Sequence, residues 1–581
     1  QFADAEKEYQ AAVELAEKLR ETLDVEAQRT FLDGEPILGV KYVSAYEGLA
    51  RVRLRQGNWD GALKASEYTK ARAFADKLAK LSAGSSYGVD PNLLSELDKV
   101  EKQIRANAKQ LERCQGPEGD KSLIPKLESE RNGLDERLKT VKRRIKERYP
   151  DFYDTRFPSP LSIKQANLPP DQLILAYDVT ETGILIFVCK GTQIIHAEFK
   201  SIPRAALQKK IRHYRDPLEG PEDYDELTKM DLAAGRDLAS LLLTQDVRRH
   251  VEPGRSLIVV PDDCLEVLPF EMLIMEKGGT ITLQKGLPLA LDVPFLGNTN
   301  PVVYFQSLTA MNLARQRPKA KSTQGKVLVI ADVIVPKEEA SPSSMQDRAQ
   351  SKPAREYVET LAIPTQSSSS GETRLLSPGT YLDLRDEFGP LPETRSLAKT
   401  AREVFKTRAV VMEREQATLK GFQEKVVPTA AEYAQIVFAT HGYFGDRFKP
   451  EISEPFLLLS CKPPQVDNLL RMSAVMDLDL RADNVALLAC QTGLGRYIAG
   501  EGTMGMGRAF QYAGAKSVLV SLWSVDEKPS VMLVQRFLEA QASGKEPGVA
   551  LEGARQFLKE QGYNHPFFWS SFILVGQPSA N

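Results

Sequence analysis

Cysteine and histidine are both scarce, five of each in 581 residues. The cysteines (Cys114, Cys189, Cys264, Cys461 and Cys490) are odd in number, scattered and free of any CxxC, which argues against a disulfide framework and a zinc site. A reducing, cytoplasmic setting follows. So few histidines leave no material for a metal cage, and no cofactor is implied. No run of about 18 apolar residues occurs, and Gln1-Phe2-Ala3-Asp4-Ala5-Glu6 offers neither a basic start nor an apolar signal core. The expectation is a soluble chain without a membrane partner. Its first residues already read as helix, lacking both a cap and an initiator Met, which places Gln1 inside a longer natural chain. Excess charge is missing too: 76 basic residues against 78 acidic ones give a net charge of -2, so no global field recruits nucleic acid or anionic lipid. Local basic patches stay open.

What remains is ordinary globular material, 42% hydrophobic and 27% charged, at a length that predicts several modules of about 150 residues. Residues 1–85 read as helical repeats. Tyr46-Glu47-Gly48-Leu49-Ala50 puts a small residue inside one helix, Gly57 makes the turn, and Trp59-Asp60-Gly61-Ala62-Leu63 opens the next helix with an aromatic before Ala-Leu, as in a tetratricopeptide repeat (TPR). Tyr9-Gln10-Ala11-Ala12-Val13 with Ala16 is a partial earlier copy. About two repeats fit where roughly three are needed, so further repeats precede Gln1 or the next module caps them. Residues 86–150 predict an antiparallel helical hairpin, because Leu93, Leu97, Val100 and Ile104, then Leu134, Leu138, Val141 and Ile145, step by threes and fours on either side of Gly116-Pro117-Glu118-Gly119. A spacer bracing the repeats is favoured over a partner-binding coiled coil. Residues 151–325 form an α/β unit with strands at 173–177, 183–188 and 256–261, and residues 326–581 form a second that opens at Lys326-Val327-Leu328-Val329-Ile330. The stretch about 335–390, with Ser367-Ser368-Ser369-Ser370-Gly371, cannot bury enough apolar area to offset chain entropy. It reads as a mobile surface insertion, and the base rate for long loops favours filler over a cleavable regulatory loop.

Two apolar runs in the second unit end on reactive side chains: Ile436-Val437-Phe438-Ala439-Thr440-His441-Gly442 and Val485-Ala486-Leu487-Leu488-Ala489-Cys490. In an open α/β sheet, chemistry collects at the carboxyl ends of parallel strands. Singly, His441 reads as a structural histidine and Cys490 as a small core residue. Together, each with a glycine within three positions, they are the minimum set for acyl transfer. The backbone N–H groups of Gly442 and Cys490 are the expected oxyanion donors. Cys461, followed by Lys462-Pro463-Pro464, has no glycine-built donor site and ranks below Cys490. His196, His213, His250 and His565 read as structural. Gly500-Glu501-Gly502-Thr503-Met504-Gly505 lacks the following Lys-Ser/Thr of a phosphate loop and reads as close helix packing.

Ala439-Thr440-His441-Gly442, Leu488-Ala489-Cys490-Gln491-Thr492-Gly493, Gly500-Glu501-Gly502, Arg508-Ala509-Phe510 and Ser521-Leu522-Trp523-Ser524-Val525-Asp526 together resemble the CHAT peptidases, caspase-like proteins associated with TPRs and related to caspases, gingipains and separase. Leu391-Pro392-Glu393-Thr394, Val267-Leu268-Pro269-Phe270-Glu271 and Phe568-Trp569-Ser570-Ser571-Phe572-Ile573-Leu574-Val575-Gly576 are similar to further signposts of that family. The resemblance covers residues 150 to 581. It implies a caspase-hemoglobinase fold, a first α/β half without the dyad, a second half carrying it, and metal-free bacterial endopeptidase activity on a protein substrate.

The resemblance also implies a pocket for the residue before the scissile bond. In arginine-cleaving relatives an acidic residue shortly after the Leu-Trp block lines it, which singles out Asp526 and Glu527 beside Trp523. Against this, Asp526 reads slightly better as the cap of a helix starting near Pro529, and Trp523 as core or pocket wall. Related proteins use RNA-guided complexes, defence proteins and pore-forming substrates as partners, and this chain does not choose among them. A protein activator bound through the repeats is the expected regulation. The alternative class is a catalytically silent TPR scaffold in a larger signalling or defence complex, and a third is acyl transfer other than proteolysis.

Overall fold

The computed structural model describes residues 2–21, 42–70, 89–115, 120–150, 152–153, 162–165, 170, 172–316, 325–335, 388–443, 454–460, 468–489, 496–498, 502–524 and 526–576. Among the described residues three helices open the chain: α1 (Phe2–Glu21), α2 (Val43–Arg55) and α3 (Trp59–Glu67). Their join is legible in the sequence. Gly57 has φ 77°, a conformation open to glycine, and the Asn58 side chain accepts a bond from Gly61 N, capping α3. A Cβ on Gly48 would lie 2.3 Å from the Tyr9 ring, which accounts for the small residue inside α2. Next comes the helical hairpin α4 (Pro91–Gln115) and α5 (Ile124–Arg148), in which Leu93, Leu97, Val141 and Ile145 form a separate apolar cluster with Phe152 among the described residues. Gly116 to Gly119 lie outside the described residues.

The strands are β1 (Leu173–Thr180), β2 (Gly183–Lys190), β3 (Gln193–Ser201), β4 (Leu257–Val260), β5 (Thr280–Gln284), β6 (Leu287–Leu291), β7 (Val302–Tyr304), β8 (Lys326–Ala331), β9 (Ala409–Glu413), β10 (Tyr433–Ala439), β11 (Gly442–Tyr443), β12 (Phe456–Leu458), β13 (Leu469–Arg471), β14 (Asn484–Leu488), β15 (Arg496–Ile498), β16 (Gly502–Met504), β17 (Ser517–Ser521) and β18 (Phe572–Gly576). Eleven of them make one sheet, in the order β3-β2-β1-β4-β7-β18-β17-β14-β10-β8-β9. The two α/β units are thus continuous, and the last strand of the chain is the seam between them. Strands β1, β4, β7 and β18 run parallel, β18 and β17 pair antiparallel, and β17, β14, β10, β8 and β9 run parallel the other way. The carboxyl ends of the two parallel sets therefore point to opposite edges.

Burial follows the strand chemistry. Parallel strands covered on both faces read as unbroken apolar runs rather than alternation, and β14 and β17 are buried at every position. On one face of β1 and β2, Ile174, Ala176, Leu185, Phe187 and Cys189 share an apolar layer with Tyr46, Leu49, Ala62 and Leu63, so the repeat helices are packed directly on the sheet. The antiparallel β3 and the β5–β6 hairpin were not anticipated, because their solvent-facing residues dilute the apolar signal. Among the described residues no helix is long and apolar enough to cross a membrane.

Candidate active site

Strands β10 and β14 lie side by side, their last pair being Ala439 opposite Leu488. Beyond it Thr440 N donates to Leu488 O at 3.1 Å, locking the two exits in register. Ser521 Oγ, at the end of β17, donates to Ala489 O at 2.7 Å, fixing the residue before Cys490. Cys490 itself lies outside the described residues, as do Cys461 and Gly500-Glu501. Three adjacent strands thus converge on one point of the sheet rim.

His441 is half-buried there. Its Nε2 sits 2.6 Å from the carbonyl oxygen of Gly389, and the Phe388 ring packs against the imidazole with centroids 4.9 Å apart. A carbonyl can only accept, so Nε2 carries the hydrogen, and in the neutral ring the lone pair belongs to Nδ1. The Phe388-Gly389 strut adjoins Leu391-Pro392-Glu393-Thr394, which is itself anchored: Thr394 Oγ1 accepts from Asp332 N at 3.0 Å and Arg395 pairs with Asp332 at 2.9 Å. Sequence reasoning recognised the Leu391 to Thr394 signpost but missed Phe388 and Gly389, since nothing in a glycine's identity announces a carbonyl aimed at a ring 52 residues away.

Gly442 begins β11, opposite Leu457 of β12. Leu458 N donates to His441 O at 2.9 Å, the bond that brackets a non-hydrogen-bonded antiparallel pair. The Gly442 N–H therefore turns away from β12, and glycine leaves no side chain over it.

Trp523 is fully buried at 0% exposure, its Nε1 donates to Phe567 O at 3.1 Å, and the Arg215 guanidinium stands 5.7 Å from its ring. It is core, with no surface open to a substrate here. Asp526 occupies the cap position of the helix Glu527–Ala542 but its side chain makes no cap bond. That carboxylate instead accepts a bond from the Tyr224 hydroxyl, a residue of the first α/β unit. The expected side-chain capping is not what this aspartate does. Glu527 Oε1 accepts from Glu393 N at 2.8 Å, joining the start of the helix to the signpost beside His441.

The other histidines have structural partners: His213 bonds Asp231 at 3.0 Å, His196 stands 3.6 Å from Glu198 and near His250, and His565 Nδ1 accepts from Phe567 N at 3.2 Å. Burial pushes the His565 imidazole down to about 3, so it is neutral. Gly505 occupies the N-cap position of the buried helix Met506–Ala513. Among the described residues no group of three or more His, Cys, Asp or Glu side chains could hold a metal ion.

The family model described as CHAT domain matches residues 232–577, more than half of the chain. Tetratricopeptide repeat protein 28 of Homo sapiens is 32% identical over 131 residues, 22% of this chain and 5% of that protein, and its Mus musculus counterpart matches equally. The chain thus spans about a twentieth of the length of these curated relatives. Among solved structures, the Arg specific cysteine proteinase gingipain R aligns with 9% identity and a TM-score of 0.34 over 65% of this chain and 75% of that one. The Saccharomyces cerevisiae separase in its securin complex aligns with 10% identity and a TM-score of 0.39 over 96% of this chain and 45% of that one. At TM-scores below 0.5 these two likenesses carry no argument for the site.

Proposed function

The chain belongs to the CHAT domain family, and from that premise we propose that it is a caspase-like cysteine endopeptidase acting through His441 and Cys490. The observation that carries the reading is the imidazole at the carboxyl end of β10, fixed by the Gly389 carbonyl, with β14 in register beside it and leading to Cys490 two residues past its last pair. Nδ1 takes the thiol proton, and the thiolate attacks the scissile carbonyl carbon. The oxyanion is received by the N–H groups of Gly442 and Cys490. The imidazolium then gives its proton to the leaving amine as the C–N bond breaks, leaving a thioester. In deacylation the imidazole takes a proton from water, hydroxide adds to the thioester carbon, and the C–S bond breaks to restore the thiol and release the acid. Chemistry needs no metal, because the charge that develops is met by N–H dipoles.

Substrate selection is assigned to Asp526, whose carboxylate is held toward Tyr224 rather than spent on the helix terminus. A carboxylate so placed fits a cationic residue before the scissile bond. A protein partner bound through the repeats would regulate the site by favouring one population, and the packing of α2 and α3 on the sheet supports such coupling.

The test is cleavage of a diverse peptide library by the wild type, Cys490→Ala and His441→Ala. Each variant should lose on the order of 10³-fold or more in kcat/KM, and Asp526→Asn should weaken cleavage after Arg relative to cleavage after uncharged residues. Equal absence of cleavage by wild type and variants, with candidate activators present, would replace the peptidase reading with a scaffold.

A further inference from the structure

The first half of the sheet has its own counterpart of the dyad position. In β1 and β4 the last parallel pair is Ala176 opposite Val260, and two residues further on stand Asp178 and Asp262. In β10 and β14 the last pair is Ala439 opposite Leu488, and two residues further on stand His441 and Cys490. Counted along the chain from the last pair, the same position is His and Cys in one half and Asp and Asp in the other, and the two sets of strand ends lie at opposite edges of the sheet.

No substrate reaches these carboxyls. Asp178 is 2% exposed and Asp262 9%, because the repeat helices lie over them. Arg51 of α2 donates to Thr182 Oγ1 at 2.8 Å, and Glu67 of α3 accepts from both N and Oγ1 of Thr309 at 2.8 Å. Four polar atoms at this seat are buried without a partner among the described residues: Ser66 Oγ, Glu67 Oε1, Lys70 Nζ and Asp178 Oδ2. Two ionised carboxylates have no hydrogen to offer each other, whereas one protonated carboxyl donates to its neighbour. A proton held between Asp178 and Asp262 removes both an orphaned oxygen and a buried charge.

We infer that the seat of the repeats on the first half of the sheet is a proton-operated joint: the Asp178 and Asp262 carboxyls share a proton while the repeats are docked, and the repeats loosen from the sheet as the surrounding carboxyl cluster ionises. The charge around the pair cannot absorb that ionisation. Facing it are Lys70 from the α3 end, Glu47 from α2 and Asp263 after β4, and beside Glu47 stand Glu181 of the β1–β2 turn and Arg204. Arg204 is committed, with Nε and one terminal nitrogen 2.6 and 2.8 Å from the Asp263 carboxylate. Arg204 also stands 3.4 Å from Glu181, and among the described residues Lys70 is the cation whose charge acts on both Asp178 and Asp262. Burial raises both Asp178 and Asp262 above the ordinary carboxylate range, and burial first, then the Asp178 and Glu181 charges, pushes Glu47 up to about 8.

The direction follows from linkage. A carboxyl raised in the docked state stabilises docking fully below its free value, near 4.5 for Glu47, and that contribution is gone once pH has risen through about 8. For one such proton, docking weakens roughly 50-fold between pH 6 and pH 8.

Cys189 reports on the joint, since it is 0% exposed in the apolar layer beneath the repeats. Its alkylation by iodoacetamide in the full chain is read by peptide mass spectrometry, each rate divided by that of N-acetylcysteine at the same pH to remove the thiolate population. The normalised rate should rise roughly 50-fold from pH 6 to pH 8 in the wild type. In Glu47→Gln and in Asp262→Asn, which keep the shape of the protonated forms, the rise should shrink to a few-fold. A flat or falling wild-type profile overturns the joint, as does an unchanged rise in both variants. Peptidase activity plays no part in the readout.

Discussion

At the residue scale, burial decides what a titratable group can do. His565 is fully enclosed and accepts a bond from Phe567 N, so protonating it costs both solvation and that bond. Its depressed folded value, about 3 against an ordinary 6.5, means the unfolded chain binds the extra proton first. Stability is present above about pH 6.5 and is lost as pH falls below it, at about 1.4 kcal/mol per unit. Chemical denaturation at pH 7 and pH 5 should show the wild type losing about 2 kcal/mol relative to His565→Gln over that interval. His441 is the contrast: half-buried, with a carbonyl fixing one nitrogen and a glycine next to it. The sequence named the histidine and the glycine. The carbonyl came from a residue whose side chain gives no signal, so no reading of residue types could supply it.

At the element scale, strands were recognisable where both faces are covered and obscure where one faces water. The runs at 327–330, 436–439 and 485–488 are apolar throughout and lie in β8, β10 and β14, whereas β3, intermediate in burial along most of its length, carries no such signature. The closing strand shows why register matters at the seam. Gly576 pairs with Ser517 at φ 124°, and a Cβ there would lie 2.2 Å from Lys516 O, a backbone atom with nowhere to go. Gly576→Ala should lower stability by ~2–4 kcal/mol through strain and displacement of β18. A urea midpoint unchanged from wild type would show that the strand end adapts.

Over the whole molecule, the two α/β units are joined by more than a shared sheet. Glu271, at 0% exposure in the Leu268-Pro269-Phe270-Glu271 signpost, meets Arg555 of the helix Pro547–Glu560 at 2.6 Å and accepts from the Tyr304 hydroxyl. Arg555 also donates to Phe572 O at 2.7 Å, so one guanidinium binds the first unit, a late helix and the central strand together. Removing it would strand a carboxylate in the interior. Arg555→Met should cost ~3–5 kcal/mol, and adding Glu271→Gln should recover part of that loss because the orphaned charge is gone. Thermal denaturation of the single and double variants measures the coupling.

The sequence by itself determined the local matters: the repeat helices, the helical hairpin and the fully covered strands, the turn at Gly57, a histidine and a cysteine each following an apolar run, and family membership. These depend on side-chain type and near-neighbour spacing, which a chain displays openly. Only the tertiary structure decided that the two α/β units share one sheet with the last strand at its centre, that Gly389 holds the imidazole, that Trp523 is core while Asp526 turns to Tyr224, and that Asp178 and Asp262 lie buried beside the repeats. Each of these joins residues far apart in the chain, and each is settled by packing and by the cost of leaving a buried polar atom unpaired.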